Sequence, residues 1–262
     1  MRKYMNLLGF EFKNLVRDKM TLLLLVYPLL VILIGAFAIP TLLDRYGDDG
    51  PGARIAVIII MIIFASLVPF VTSAMLGFSL LDNRDEGTLD TIRVTPISLR
   101  GYIVFKSIYA YFLSVNASFW VLIGTRFLSG DAYRVAGENV VDRFTVGAVL
   151  IYALVASLFV PVFALFLSAV AKNKIEGFAY MKGAGIIIII PALSALDALQ
   201  DARQYFLSVM PLFWPVKGLM VQTELLVHDH NLPAWLYMII GAVYMFVLIM
   251  VTYRVFDRKV QG

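Results

Sequence analysis

The sequence predicts an all-α, polytopic membrane protein with six transmembrane helices, an N-terminal interfacial helix and a re-entrant or broken helical segment before the last span. Three observations lead to this fold class. Of the 262 residues, 61% are hydrophobic and 15% are charged, whereas soluble domains are about 45–50% apolar and about 25% charged. Six apolar stretches reach or approach the roughly 20 residues that a helix needs to cross a bilayer. The basic residues favour one side of the resulting topology.

Residues 1–20 form the first predicted unit, an amphipathic helix. Met5, Leu8, Phe12 and Leu15 recur at spacings of three and four, while lysines and arginines occupy the other face. Such a helix lies in the headgroup plane of the membrane with its apolar face down. Two roles remain open for it: orienting the first span, or forming an elbow against which a cytoplasmic partner packs.

Residues 21–262 form the second predicted unit, a six-helix permease domain. The predicted spans are Thr21–Leu43, Ile55–Leu81, Ile103–Leu128, Thr145–Val170, Phe178–Leu196 and Leu232–Phe256. Prolines within apolar runs predict kinks, because each removes one backbone donor from its helix. These prolines are Pro28, Pro69, Pro161 and Pro191.

The stretch Tyr205–Val227 is apolar but interrupted by Pro211, Pro215, Lys217 and Glu224. We interpret it as a re-entrant or interfacial pair of short helices, which is tolerated where protein or a water-filled cavity covers the freed backbone groups. The alternative is a seventh crossing. That reading would place the two termini on opposite sides and weaken the asymmetry of basic residues, so we prefer six crossings.

The distribution of basic residues predicts the orientation. With six crossings and the N-terminus inside, 15 of the 22 lysines and arginines face the cytoplasm, as the positive-inside rule requires. Both termini are then cytoplasmic. No cleavable signal peptide is expected, because the first apolar run is too long for one.

The charged residues restrict the energy source. We expect none deep in a span, since Lys106, Arg126 and Lys182 lie near span ends and can snorkel; ion-coupled pumps need such groups. The sequence also has no Gly-x-x-x-x-Gly-Lys-Ser/Thr loop for phosphate. ATP, if used, is therefore bound by a separate subunit, and no cofactor is expected on this chain. His228-Asp229-His230 is a weak metal candidate without a further ligand nearby, so no metal site is expected.

A polar insert, residues 82–100, separates the second and third spans. Asp85 and Glu86 are expected at the start of a short helix, where negative charge complements the helix dipole. Gly87 lets the chain leave the membrane helix sharply. Leu89 and Ile92 would lie on one side of the short helix. The bland alternative is a solvated interfacial loop.

The second half of the insert predicts where the short helix ends. Thr95 precedes Pro96, and a residue before proline is disfavoured in the helical region. Ser98 is a suitable N-cap for the next span. The insert would thus be a rigid body attached to two spans, able to transmit force from a cytoplasmic partner into both.

The run Glu86-Gly87-Thr88-Leu89-Asp90, with Thr95-Pro96 after it, resembles the cytoplasmic loop of permease subunits of type-2 ABC exporters. Asp90 departs from the glutamate that is commoner there. The resemblance implies a dimer, with a second permease subunit of the same or a different kind and two cytoplasmic ATPase subunits. It further implies a coupling helix that docks on the ATPase. The partner-binding residues would be Asp85, Glu86, Gly87, Thr88, Leu89, Asp90, Thr95 and Pro96.

The second inner loop, Ala171–Lys182, would make a lesser contact with the ATPase in that family. Its charged residues include Lys172, Lys174 and Glu176.

The sequence therefore predicts a permease subunit in the cell membrane that moves a hydrophobic or amphipathic, drug-like or lipid-like solute outward, using a separate ATPase. It is not expected to be an enzyme or to bind nucleic acid; its other partner is membrane lipid. One alternative is a non-transporting scaffold that recruits a cytoplasmic protein through the same insert. A membrane-embedded enzyme is the third possibility, but no catalytic constellation supports it.

Overall fold

A computed structural model describes residues 19–46, 51–88, 98–135, 138–199, 201–225 and 231–261. Within these ranges the chain is helical apart from one small hairpin, which confirms the all-α class. Five helical stretches are long and apolar enough to cross a membrane, so the chain is a multi-pass membrane protein. These stretches are Ile55–Asp85, Leu99–Ser129, Val146–Val170, Lys174–Ala195 and Ala234–Lys259. The predicted N-terminal interfacial helix lies almost entirely outside the described residues.

The first predicted span is irregular. Helix α1 (Lys19–Leu33) passes into a π-helical turn (Ile34–Ala38) and then into α2 (Ile39–Tyr46). Val26–Leu42 is the apolar part of this segment for which the structure describes side chains. The count of six crossings therefore stays a prediction.

The π-helical turn is stabilised by residues that are distant in sequence but contact it directly. A Cβ atom on Gly35 would lie 2.6 Å from the Phe64 ring, so glycine allows the turn to pack closely against the second span. The hydroxyl of Tyr133 donates a hydrogen bond to the Gly35 carbonyl. A carbonyl displaced from the regular helical ladder thereby keeps a partner inside the bundle.

Helix α3 (Pro51–Asp85) is the central element and continues through Pro69. Proline has no amide hydrogen, so the carbonyl four residues earlier loses its helical donor. That carbonyl belongs to Ala65, and the buried hydroxyl of Tyr152 on the fourth span donates to it. The carbonyl that Pro69 leaves without a helical donor is thus paired with a tyrosine of another span, as a buried backbone group requires.

The third span is a single helix, α4 (Leu99–Ser129). The fourth and fifth spans are each interrupted. The fourth span divides into α5 and α6 at Ser157–Leu158, just before Pro161, and the fifth divides into α7 and α8 at Gly185. Their bounds are Val146–Ala156 for α5, Phe159–Val170 for α6, Lys174–Ala184 for α7 and Ile186–Ala192 for α8. The prediction that Pro161 interrupts its span is confirmed.

Short elements fill the loops at the end of the bundle that lies away from the insert, which we call the opposite face. Strands β1 (Arg134–Val135) and β2 (Glu138–Asn139) pair antiparallel and lead into a 3-10 turn, Val140–Arg143. Three more 3-10 segments follow α8: Leu193–Ala195, Asp197–Leu199 and Ala202–Val209.

Before the last helix, the chain is broken as predicted. Helix α9 (Phe213–Gln222) is short and almost wholly buried, and it packs against α5 and the start of α10 (Ala234–Gln261). Contact is close because Gly218 and Gly241 carry no side chain: a Cβ on Gly241 would lie 2.9 Å from Trp214. The re-entrant placement of this segment in the membrane stays a prediction.

Candidate functional site

The first residues of the insert, 82–85, form the last turn of α3. We call this end of the bundle the insert face. Asp85 is the last residue of α3. The amide of Glu86 donates to the Asp82 carbonyl at 2.9 Å, so Glu86 closes the same helix. The prediction that Asp85 and Glu86 start a new helix is wrong. Both are exposed at a helix C-terminus, where negative charge opposes the dipole; helix stability therefore does not explain them.

Gly87 turns the chain away from α3. Its φ is +68°, and a Cβ there would meet nothing within 4 Å. Glycine is thus required by the left-handed backbone and not by crowding, as the sequence predicted. Thr88 follows directly, but the predicted site residues Leu89, Asp90, Thr95 and Pro96 lie outside the described residues. The short coupling helix accordingly stays a prediction.

The insert ends in a defined cap. The Ser98 hydroxyl accepts a hydrogen bond from the Gly101 amide at 3.1 Å, which confirms Ser98 as the N-cap of α4. The chain therefore enters the third span with a fixed geometry.

Arg84 fastens the end of α3 to the end of the fourth span. Its guanidinium donates to three carbonyls at the C-terminus of α6: Ser168 at 3.0 Å, Ala171 at 2.8 Å and Lys172 at 2.7 Å. The last carbonyls of a helix have no partner within that helix. A cation at this position also complements the negative end of the α6 dipole.

Replacing Arg84 with methionine is expected to lower the free energy of unfolding by about 1–3 kcal/mol, the cost of leaving buried or half-buried acceptors without a charged donor. Thermal unfolding of the solubilised protein measures this change. Arg134→Met is the matched control, because Arg134 is an exposed arginine in a surface pair with Asp131. Equal melting temperatures for both variants would contradict the role of Arg84.

Asp82 joins the insert to the second inner loop. Its carboxylate pairs with the Lys174 amine at 2.8 Å, at the start of α7. Glu176 accepts a hydrogen bond from the Lys172 amide at 2.8 Å and so closes the loop on itself. Lys174 and Glu176 therefore act in the structure of the loop. A contact of this loop with a partner stays a prediction.

Lys106 connects the two helices that flank the insert. The side chain is only 7% exposed. Its amine donates to the Ser79 hydroxyl of α3 at 2.7 Å and to the Tyr102 hydroxyl of α4 at 3.1 Å. Asn83 donates to the same tyrosine at 3.0 Å. The prediction that Lys106 snorkels to water is wrong, because hydrogen bonds hold its amine between the spans.

Arg100 connects the exit of the insert to the last helix. It pairs with Asp257 near the end of α10 at 3.0 Å. Together with the contacts of Arg84, Asp82 and Lys106, this pair joins both ends of the insert to α6, α7 and α10. We call these four contacts the insert frame. The insert frame therefore connects both ends of the insert to several helices of the bundle.

The opposite face has its own connections. Arg126 at the end of α4 donates to the Phe144 carbonyl at 2.9 Å. Arg143 pairs with Glu224, just after α9, at 3.0 Å. Glu224 has a positive φ of 55°, which is uncommon for a residue with a side chain. This ion pair thus connects the end of α9 to the loop that precedes α5, the first helix of the fourth span.

Lys217 on α9 is the second buried lysine of the described residues. Its side chain is fully buried, and its amine has no hydrogen-bond partner within the described part of the chain. The sequence showed Lys217 only as an interruption of an apolar run. Its complete burial could not be read from that pattern.

Across the described residues, no group of three or more His, Asp or Glu side chains is placed to hold a metal ion. His228-Asp229-His230 lies outside the described residues.

Known proteins match nearly the whole chain. Residues 11–253 match the family described as Rv2686c-like, fluoroquinolones export permease protein Rv2686c-like. The fluoroquinolones export permease protein Rv2686c of Mycobacterium tuberculosis strain ATCC 25618 / H37Rv is 28% identical over 254 residues, which cover 95% of this chain and 92% of the relative. The fluoroquinolones export permease protein MT2760 of strain CDC 1551 / Oshkosh is also 28% identical, with the same coverage. No solved structure matches the chain.

Proposed function

Because the chain belongs to the Rv2686c-like family of fluoroquinolone export permeases, we propose that it is the permease subunit of an ATP-driven exporter of drug-like, amphipathic solutes. The resemblance of the chain to permease subunits of type-2 ABC exporters is confirmed at the level of the family. The relatives are named for fluoroquinolones, which are aromatic and amphipathic. A solute of that chemistry agrees with a bundle whose buried side chains are mainly aliphatic and aromatic.

The insert frame is the observation that carries the proposal. The exposed carboxylates Asp85 and Glu86 lie in the first part of the insert, and the backbone leaves the α3 helix at Gly87. A cytoplasmic ATPase that docks on residues 85–96 would pull on α3 and α4 together. The frame would pass that movement to α6, α7 and α10. A freely solvated loop needs no such connections.

The remaining parts of the proposal follow from this arrangement. The insert face is cytoplasmic, as are both termini, and the chain crosses the membrane six times. Two permease subunits form the pathway between them, and ATP is bound by the partner subunits. Residues 205–227 re-enter the membrane from the opposite face, near the exit of the pathway. The burial of α9 among α5 and α10 supports that placement.

The test starts from the tagged chain purified from its own membranes together with whatever ATPase accompanies it. The complex is reconstituted in vesicles, and ATP hydrolysis is measured over compound classes that include fluoroquinolones, neutral lipids and peptides. We expect fluoroquinolones or related aromatic amphiphiles to stimulate hydrolysis and to move across the vesicle membrane. A complex that binds an ATPase but moves no compound would instead favour the scaffold alternative.

A further inference from the structure

A groove on the surface of the bundle lies outside the insert frame. It runs between α4, α6 and α10 and has a volume of about 250 Å³. Its wall includes Val104 and Ile108 of α4, Leu165 of α6, and Phe246 and Ile249 of α10. Val104 and Ile108 lie in the first third of α4, Leu165 lies in the second half of α6, and the lining of α10 extends from Phe246 at its middle to Tyr253. The groove therefore occupies the half of the bundle next to the insert face.

The wall of the groove suits a hydrocarbon chain better than a polar solute. Its surface is almost wholly apolar, with Ser107, Tyr111 and Tyr253 as its polar residues. The Tyr111 hydroxyl is already occupied, because it donates to the Leu154 carbonyl at 3.1 Å. A drug-like solute would leave its own polar groups unpaired there, which is costly. The volume is also below the roughly 300–1,000 Å³ of sites for drug-sized ligands.

The end of the groove at the insert face is basic. Arg100 lies one helical turn before Val104 on the same face of α4, and its side chain is 66% exposed. Asp257 follows Tyr253 by one turn of α10 and pairs with Arg100 through a single guanidinium nitrogen. The other donors of the guanidinium fork remain suited to a phosphate. Three exposed cations complete this end of α10: Arg254, Arg258 and Lys259.

We propose that the groove holds an acyl chain of an anionic phospholipid whose phosphate binds Arg100. An apolar groove beneath basic residues at the membrane edge is the arrangement that recognises an acidic lipid headgroup. The lipid would contact α4, which leaves the insert, and α10, which carries Asp257. Its binding would therefore affect one contact of the insert frame, the Arg100–Asp257 pair. The position in the cytoplasmic leaflet rests on the proposed orientation, but the lipid chemistry does not.

The experiment measures lipid retention by native mass spectrometry of the purified chain in mixed micelles of phosphatidylglycerol and phosphatidylcholine. We expect one phosphatidylglycerol to be retained in preference to phosphatidylcholine. Arg100→Gln should weaken that retention about tenfold. Asp257→Asn breaks the same ion pair but keeps the cation, so it should strengthen retention. This opposite effect separates loss of phosphate binding from loss of the ion pair.

A second pair of variants tests the groove itself. Ile108→Trp fills the groove from a residue that is 52% exposed, and it should abolish the preference. Leu128→Trp is the matched control, since Leu128 is equally exposed at the other end of the same helix. Unchanged retention in Ile108→Trp, or equal retention of the two lipids, would overturn the proposal. Displacement of the lipid by a fluoroquinolone would assign the groove to the solute instead. No ATPase enters these measurements, so their failure leaves the proposed permease function untouched.

Discussion

Replacing Gly87 with valine is expected to abolish drug export while the protein remains folded in the membrane. Gly87 has a φ of +68°, and a residue with a Cβ loses about 1–2 kcal/mol in the left-handed region. A β-branched residue is a strong outlier there. Because nothing surrounds the Cβ position, relief of the strain re-aims the insert without disturbing the core. The ATPase would then hydrolyse ATP without driving export.

Gly130 provides the control for this variant. It also has a positive φ, +53°, with nothing within 4 Å of its Cβ position, but it lies at the other end of α4. Gly130→Val therefore introduces the same kind of backbone strain away from the insert. Export and ATP hydrolysis are measured side by side in reconstituted vesicles. Equal loss of coupling in both variants would show that strain itself, and not the insert, is responsible.

Glu86→Arg tests the charge of the same segment. The Glu86 side chain is exposed and makes no hydrogen bond or ion pair within the described residues, so reversing its charge should leave the fold unchanged. We expect the same uncoupling as for Gly87→Val. Co-purification of the ATPase at undiminished yield, together with unchanged export, would refute the role of the insert.

Composition and span length were sufficient to predict the fold class and five of the spans, because a helix must satisfy its own backbone in lipid. The third span, predicted as Ile103–Leu128, is found at Leu99–Ser129. The residues close to Gly87 and Ser98 were also sufficient to predict the turn at Gly87 and the helix cap at Ser98. In these cases the physical cause lies within a few residues of the feature that it determines.

The features that escaped prediction depend on residues far apart in the chain. The π-helical turn near Gly35 relies on Tyr133, and the carbonyl that Pro69 leaves without a helical donor relies on Tyr152. The insert frame likewise joins Arg84 to carbonyls of the fourth span. An apolar helix that carries one lysine gives no sign of which neighbour will receive the amine. Spacing alone therefore suggested snorkelling for Lys106, whereas tertiary packing decided the outcome.

The two buried lysines are expected to respond in opposite ways to the same substitution. Lys217→Met should raise the free energy of unfolding by about 1–3 kcal/mol, because methionine occupies a similar volume and removes a buried donor that lacks a partner. Lys106→Met should lower it, because the Ser79 hydroxyl loses the amine that donates to it and the Tyr102 hydroxyl keeps only Asn83. Thermal unfolding of both solubilised variants measures the two shifts under one condition.

The same pair of variants separates stability from export. If Lys217 lies beside the pathway, as the proposed re-entrant position of α9 requires, Lys217→Met gains stability and loses export, since unpaired buried polar groups persist where function needs them. A variant that is more stable and fully active would show that Lys217 has no role in the pathway. It would also show that the buried amine lowers the free energy of unfolding. A less stable Lys217→Met variant would contradict the premise that the buried amine of Lys217 lacks a partner in the folded protein.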